Sequence, residues 1–319
     1  MRTEELTSSP GLGGLLLKAA LTARGRRGDQ LPDLELVLRG VVAAGEQLAG
    51  YARVCGFRLS GQLPPTYPHI LGFPLAMRLM TDPSFPFPLP GLVHVSNRIS
   101  QLRTLPADTA LDLRVWADSM ERTDRGTQFV VHTEASADGE VVWREQSQYL
   151  RRERASRSKG TGRSDAGASG ASSEATSESA TPSDSAASTA TTSTGSAGAP
   201  DTTSEPLIPT AIWRLPDDLG RRYAAVSGDH NPIHLHPLTA RLGGFRRPIV
   251  HGMWTLARCL AALEGRLPEA VTVDIRFRKP ISLPSTVGFA ARPHEDGWRF
   301  AVTDRAGEKT YLTGTTKPA

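Results

Sequence analysis

Cysteine is almost missing from this chain of 319 residues: there are two, Cys55 and Cys259. They lie far apart and in no metal or redox spacing. That excludes a disulfide framework and a zinc ribbon, and it predicts reduced, buried thiols. Long apolar runs are missing too, and nothing approaches the ~20 residues of a membrane span. The apolar stretch from Leu15 to Leu21 is short, with Glu4 and Glu5 before it and Arg24, Arg26 and Arg27 after it. This is the wrong charge order for a secretory signal, so a surface helix in a cytoplasmic protein is expected. Basic residues never run to five in a row despite a net charge of +4. A nucleic-acid arm is therefore not expected, while an anionic small ligand suits the modest excess. Gly11-Leu12-Gly13-Gly14 completes no phosphate or dinucleotide loop, which removes nucleotide cofactors.

Large apolar residues disappear altogether between Ala155 and Ser204, where forty of fifty residues are Ser, Thr, Ala or Gly. Such a segment cannot bury enough surface to offset its chain entropy, and a disordered linker is predicted. A flexible chain of that length spans about 40 Å. The expected organisation is an N-terminal helical extension (1–28), a first folded unit (29–152), the linker (153–205) and a second folded unit (206–319).

The two units share a plan. In the first, Ile70–Met80 has helical apolar spacing, with Pro74 marking a kink or an early turn. Four strand candidates follow, two of them joined by Ala137-Asp138-Gly139, a hairpin signal. In the second, Gly252–Leu263 carries Met253, Leu256, Ala257, Leu260 and Leu263 on one face. A strand follows in which Val271, Val273, Ile275 and Phe277 alternate with polar residues, and three more strand candidates complete a meander. One long helix followed by about four antiparallel strands, twice, predicts an α+β fold whose units can pair edge to edge in one sheet.

Chemistry concentrates in Ser227-Gly-Asp-His-Asn-Pro-Ile-His234 and, seventeen residues on, His251-Gly252. Asn231 is a natural N-cap and Pro232 a natural first helical residue. Asp229 on the incoming loop and His234 in the first helical turn can then face one small volume, as acid/base work on a single water requires. Gly252 at a helix start offers free N–H groups to a developing oxyanion. His234-x-His236 invites a metal, but further ligands lack suitable spacing, and no metal site is expected. Ser227 lacks the frame of a nucleophile elbow and is read as supporting the loop.

The residues Asp229, Asn231, Pro232, His234, His251 and Gly252 closely resemble the motif of the MaoC-type (R)-specific enoyl-thioester hydratases. The layout, with the motif only in the second half, resembles actinobacterial 3-hydroxyacyl-thioester dehydratases built as a double hotdog. The resemblance implies two hotdog units and reversible hydration of trans-2-enoyl thioesters to (3R)-3-hydroxyacyl thioesters. Asp229 and His234 would grip the water, Asn231 would orient them, and the Gly252 N–H would hold the thioester oxygen. Ser227 and His251 would line the substrate site. Coenzyme A or phosphopantetheine would enter only as part of the substrate, and Arg278 and Lys279 are candidates to meet its phosphates. The first unit offers Pro64-Pro-Thr-Tyr-Pro-His69 instead of the motif, and His69 has no acidic partner close in sequence. That unit is read as non-catalytic, lending space to the acyl chain, within a monomer or a homodimer. A hotdog thioesterase and a non-catalytic acyl-thioester-binding protein are the alternatives. The first commonly carries an acid in the central helix, and Gly252–Leu263 has none.

Overall fold

A computed structural model describes residues 1–15, 28–152 and 207–319. The apolar stretch beyond Leu15 and the linker expected at 153–205 lie outside these described residues. Among the described residues eleven strands form one sheet: β1 (Arg2–Leu6), β2 (Leu34–Val41), β3 (Leu92–Gln101), β4 (Leu111–Thr123), β5 (Gly126–Ala137), β6 (Glu140–Arg152), β7 (Ala211–Leu215), β8 (Val271–Phe277), β9 (Ser285–His294), β10 (Gly297–Asp304) and β11 (Thr310–Pro318). Their order across the sheet is β1-β2-β4-β5-β6-β3-β8-β11-β10-β9-β7. Apart from β1, the order reads the same from either edge: β2 answers to β7, β4 to β9, β5 to β10, β6 to β11 and β3 to β8. The α+β expectation of two pseudo-repeated units in one continuous sheet holds.

The seam is the antiparallel pair β3–β8, running from Ser96 opposite Arg276 to Gln101 opposite Val271. Side chains reinforce it: Ser100 Oγ and Thr272 Oγ1 are 3.0 Å apart, and Arg98 meets Asp274 at 3.5 Å. The β5–β6 hairpin turns at Asp138 and Gly139, both with positive φ (53° and 80°). That geometry suits the right-handed twist of the flanking strands.

Each half carries a short and a long helix. In the first these are α1 (Gly45–Cys55) and α2 (Tyr67–Met80). In the second they are α3 (Leu219–Ser227) and α5 (Gly252–Ala262), with the six-residue α4 (Pro237–Leu242) between. A leading strand and a short helix thus precede each long helix, and both short helices fall where the sequence places them, within Val41–Gly56 and at Leu219–Val226. Helix α2 starts three residues earlier than its apolar spacing implied and runs through Pro74. Its enclosure explains this: ten of its fourteen residues are buried, and that packing outweighs the ~3 kcal/mol that an internal proline costs.

The extension expected to be helical over 1–28 begins instead as strand β1, parallel to β2. No apolar alternation announces it. Its cause is the open edge of β2, whose backbone groups need partners. Thr3 Oγ1 donates to Glu35 at 3.0 Å, and Glu4 pairs with Arg78 of α2 at 3.2 Å. Among the described residues, no helix is long and apolar enough to cross a membrane.

The halves also meet through helices. Trp254 Nε1 donates to the Val54 carbonyl at 3.0 Å, and Gln47 donates to the Val226 carbonyl at 2.9 Å. Cys55 and Cys259 are buried, free thiols, each pushed upward in pKa by that burial.

Candidate active site

Helix α3 ends where Gly228 takes φ +75°, and the chain then closes a series of small turns. The Ser227 hydroxyl accepts the Asp229 N–H (3.2 Å), the Asp229 carboxylate accepts the Asn231 N–H (3.1 Å), and the Asn231 side chain accepts the Ile233 N–H (3.4 Å). Short polar side chains satisfy backbone donors two residues on, which is why such residues occupy this loop. Asn231 caps as expected, but Pro232–His234 is a single 3-10 turn that does not continue directly into an α-helix. Pro237 is the reason: it pushes His236 to extended backbone (φ −144°, ψ 145°), so the helix restarts at Pro237 as α4.

That turn places His234 in the interior, with 8 % of its surface exposed. Its Nδ1 lies 2.7 Å from the Ile249 carbonyl. A carbonyl only accepts, so Nδ1 carries the proton and Nε2 keeps the lone pair. Gly220 of α3 packs directly beneath: a Cβ there would lie 1.9 Å from the His234 carbonyl oxygen. His251, at the N-cap of α5, donates from Nε2 to the Asp229 carbonyl at 3.0 Å. Its ring stacks on that of His234, 3.7 Å between centroids at 26°, and meets the Tyr223 ring at 4.8 Å. Gly252 opens α5, so its N–H belongs to the first turn, which has no partners within the helix. A Cβ at Gly252 would lie 2.8 and 2.9 Å from two atoms of the Phe277 ring.

Electrostatics separate the acid from the bases. Burial would raise the Asp229 carboxyl, but His251, His234, the Asn231 N–H and His69 outweigh it and hold it below its usual range. The side chain keeps 31 % exposure, so water reaches it. His234 is lowered, by burial first, with Asp229 and the Ile249 carbonyl offsetting only part. Burial, and then His234, push His251 down to about 3. At neutral pH the site therefore holds a carboxylate and two uncharged imidazoles.

One ligand atom from each of Asp229, His234 and His251 falls within 4.8 Å of the others, close enough to surround an ion. The ring geometry favours another use. Imidazole lone pairs lie in the ring plane, so two stacked rings direct theirs side by side and not at one point. Nε2 of His251 is also engaged by a carbonyl.

The structure thus gathers Ser227, Asp229, Asn231, His234, His251 and Gly252. Arg278 and Lys279 stand apart on the exposed surface, one and two residues past Phe277, with Arg278 Nε donating to Thr313 Oγ1 at 3.3 Å. Sequence reading missed Gly220, Tyr223 and Phe277, and it did not reach the distant partner of His69. Far from lacking an acidic partner, His69 Nδ1 sits 2.9 Å from the Glu145 carboxylate, which α2 and β6 bring together across 76 positions. The available signal was Glu145 itself, an acid in phase with Trp143 and Ser147 on the buried face of β6.

Comparison with known proteins points the same way. Residues 196–313 match the MaoC-like domain family. The chain is 33% identical over 315 residues to 3-hydroxyacyl-thioester dehydratase X of Mycobacterium tuberculosis, covering 98% of this chain and 99% of that protein. A crystal structure of HtdX from the same organism superposes with a TM-score of 0.70 at 30% identity, over 89% of this chain and all of that one. A shorter match, 38% over 66 residues, is to the (R)-specific enoyl-CoA hydratase of Aeromonas caviae, 21% of this chain and 49% of that enzyme.

Proposed function

The chain belongs to the MaoC-like dehydratase family, and we propose that it is a hydro-lyase that interconverts trans-2-enoyl and (3R)-3-hydroxyacyl thioesters in fatty-acid metabolism. The observation that carries this reading is the pairing of an ionised Asp229 with a neutral His234 whose Nε2 is bare, beside the first turn of α5. In the hydration direction a water lies between the two side chains. His234 Nε2 takes one proton as the oxygen bonds to C3. Asp229 relays that proton to C2, so OH and H are both accounted for and both residues return to their starting states. The thioester oxygen gains enolate character, and the Gly252 N–H with the positive end of α5 stabilises it. Dehydration is the same path reversed.

The substrate is a thioester of coenzyme A or of an acyl carrier protein, with Arg278 and Lys279 available to its phosphates. Asn231 orients the pair, and Ser227 and His251 hold the loop against the substrate. No resident metal is needed. The free thiols Cys55 and Cys259 suit the cytoplasm.

The test is the loss of conjugated-enoyl absorbance with crotonyl-CoA and with a longer enoyl-CoA. Wild type is expected to be active, and Asp229→Asn and His234→Gln to lose about 10²- to 10⁴-fold. Wild type inert on CoA and carrier thioesters, or releasing free thiol, would overturn the assignment, the latter in favour of a thioesterase.

A further inference from the structure

The motif lies in the second half, but the segment that carries Asp229 is held from the first. Helix α3 leads into the catalytic loop, and the carbonyls of its last turn have no partners within the helix. One of them, that of Val226, accepts from Gln47 Nε2 of α1 at 2.9 Å. One turn along α1, Gly50 backs onto the Val226 side chain, and a Cβ at Gly50 would stand 3.0 Å from Val226 Cγ1. Next on α1, the Tyr51 ring meets that of Tyr223 in α3 at 6.1 Å. Near the end of α1, the Val54 carbonyl accepts from Trp254 Nε1 of α5 at 3.0 Å. One helix of the first half thus touches both elements on which the site is built: the end of α3, just before Asp229, and the start of α5, which bears His251 and Gly252.

A second contact comes from the N-terminal segment. The short helices α1 and α3 both end on a glycine with positive φ, Gly56 (85°) and Gly228 (75°). Without a side chain each leaves bare backbone, and the two are covered differently. A Cβ at Gly56 would collide with the Arg258 guanidinium, and a Cβ at Gly228 with Leu12 Cδ1. Gly228 directly precedes Asp229, so an aliphatic side chain from the far end of the chain covers the entry to the catalytic loop. Leu12 is tied down on both sides. Upstream, β1 is paired along β2; downstream, Leu15 is buried in the core, and its N–H reaches the Gly11 carbonyl at 3.3 Å. The stretch Gly11-Leu12-Gly13-Gly14, which completes no phosphate loop, has this packing contact instead.

We propose that Leu12 and Gln47 are positioning residues of the hydratase site: from the first half they hold the end of α3, and with it the Asp229 loop, against the start of α5. The inference rests on the function proposed above. The loop's own hydrogen bonds, Ser227 to Asp229 and Asp229 to Asn231, span two residues each. They set the loop's shape, but they travel with it and do not set its place. From the α5 side, His251 Nε2 holds the Asp229 carbonyl at 3.0 Å. From the opposite half, Gln47 holds Val226 and Leu12 lies on Gly228, three residues and one residue before Asp229. A carboxylate and an imidazole that share one water need their separation fixed closely, since a misplacement of about 1 Å costs about a hundredfold. The half without the motif thus contributes to catalysis by fixing a distance. Both residues act through Val226 and Gly228, so their effect falls on kcat and leaves KM alone.

The experiment compares the full-length wild type with Leu12→Ala, Gln47→Ala, the double variant and the conservative Leu12→Met. Gln47 is exposed and Leu12 half-buried, so the fold tolerates all four. Amide hydrogen exchange is followed in the catalytic loop (227–234) and in the β3–β8 seam, and kcat and KM are measured with crotonyl-CoA. In each alanine variant, loop exchange is expected to quicken by about two- to tenfold, the worth of one net contact, with the seam unchanged. In the double variant kcat falls by about ten- to a hundredfold at unaltered KM. Leu12→Met keeps wild-type exchange and kcat. Unchanged loop exchange would overturn the proposal, even with lowered activity. So would equal quickening in loop and seam, the mark of a merely structural role, or a loosened loop with undiminished kcat. Exchange needs no turnover, so an inert wild type would refute the hydratase reading while the hold on the loop was still decided.

Discussion

The imidazoles of His234 and His251 lie 3.7 Å apart, face on face, and each reaches a carbonyl with one nitrogen: His234 to Ile249, His251 to Asp229. Each carbonyl fixes one tautomer, and the stack fixes the ring planes. The basic Nε2 of His234 therefore stays aimed without help from the substrate.

His251→Phe keeps a ring in the stack and removes the donor to the Asp229 carbonyl. The loop should drift, and kcat should fall by about a hundredfold, while stability drops by about 1–3 kcal/mol for the orphaned acceptor. Steady-state kinetics and thermal melts on one preparation measure both. Undiminished kcat would show that the loop holds itself.

Gly220→Ala places a Cβ where the His234 carbonyl oxygen now sits, so either α3 or the 3-10 turn must move. A loss of about a hundredfold or more in kcat/KM is expected. Gly61→Ala is the control, since its Cβ would meet nothing within 4 Å. Equal activity of the two variants would remove Gly220 from the account of the site.

Stability should fall on acidification. Burial lowers His251 to about 3 and His94 to about 4, and it lowers His234 as well. The unfolded chain protonates these groups first, near their ordinary pKa of about 6.5, so protons bind preferentially to the unfolded state below that pH. Glu145, lowered in the fold, adds to the loss once pH drops through its folded value. His69 is raised, so its contribution is complete below about 6.5 and lost only on going alkaline. A melting temperature that is flat or rising from pH ~6.5 down to ~4 would contradict the buried neutral histidines.

Arg278→Ala with Lys279→Ala should raise KM for a coenzyme A thioester by about three- to tenfold, the scale of exposed charge-assisted contacts, and leave kcat unchanged. A pantetheine thioester without the nucleotide phosphates should show no such change. If both substrates respond alike, these residues act on the strand end and not on phosphate.

Treatment with a strong chelator should leave kcat/KM unchanged, because the stacked rings of His234 and His251 do not aim their lone pairs at one point. A loss restored by one divalent cation would convert the trio Asp229, His234 and His251 into a metal site.

What could be read in advance follows from what is local. The turn chemistry of Ser227, Asp229 and Asn231 acts over two residues, so the loop is legible in the chain itself. The alternation in β8 and the apolar face of α5 belong to single elements and are equally plain. Gly220 looks like any helical glycine until His234 is folded onto it. Glu145 and His69 are 76 positions apart, and only the folding of α2 onto β6 brings them together. Strand β1 owes its conformation to the edge of β2 and has no pattern of its own.

The β3–β8 seam has a consequence for how the enzyme behaves when scarce. In a pair of separate chains, a site that draws on both would come apart on dilution, and its activity would depend on concentration. Here the encounter is written into one polypeptide, so the first half is always at hand at an effective concentration set by the connection and not by expression. The pairing of the two halves along this seam therefore persists even at one copy per cell.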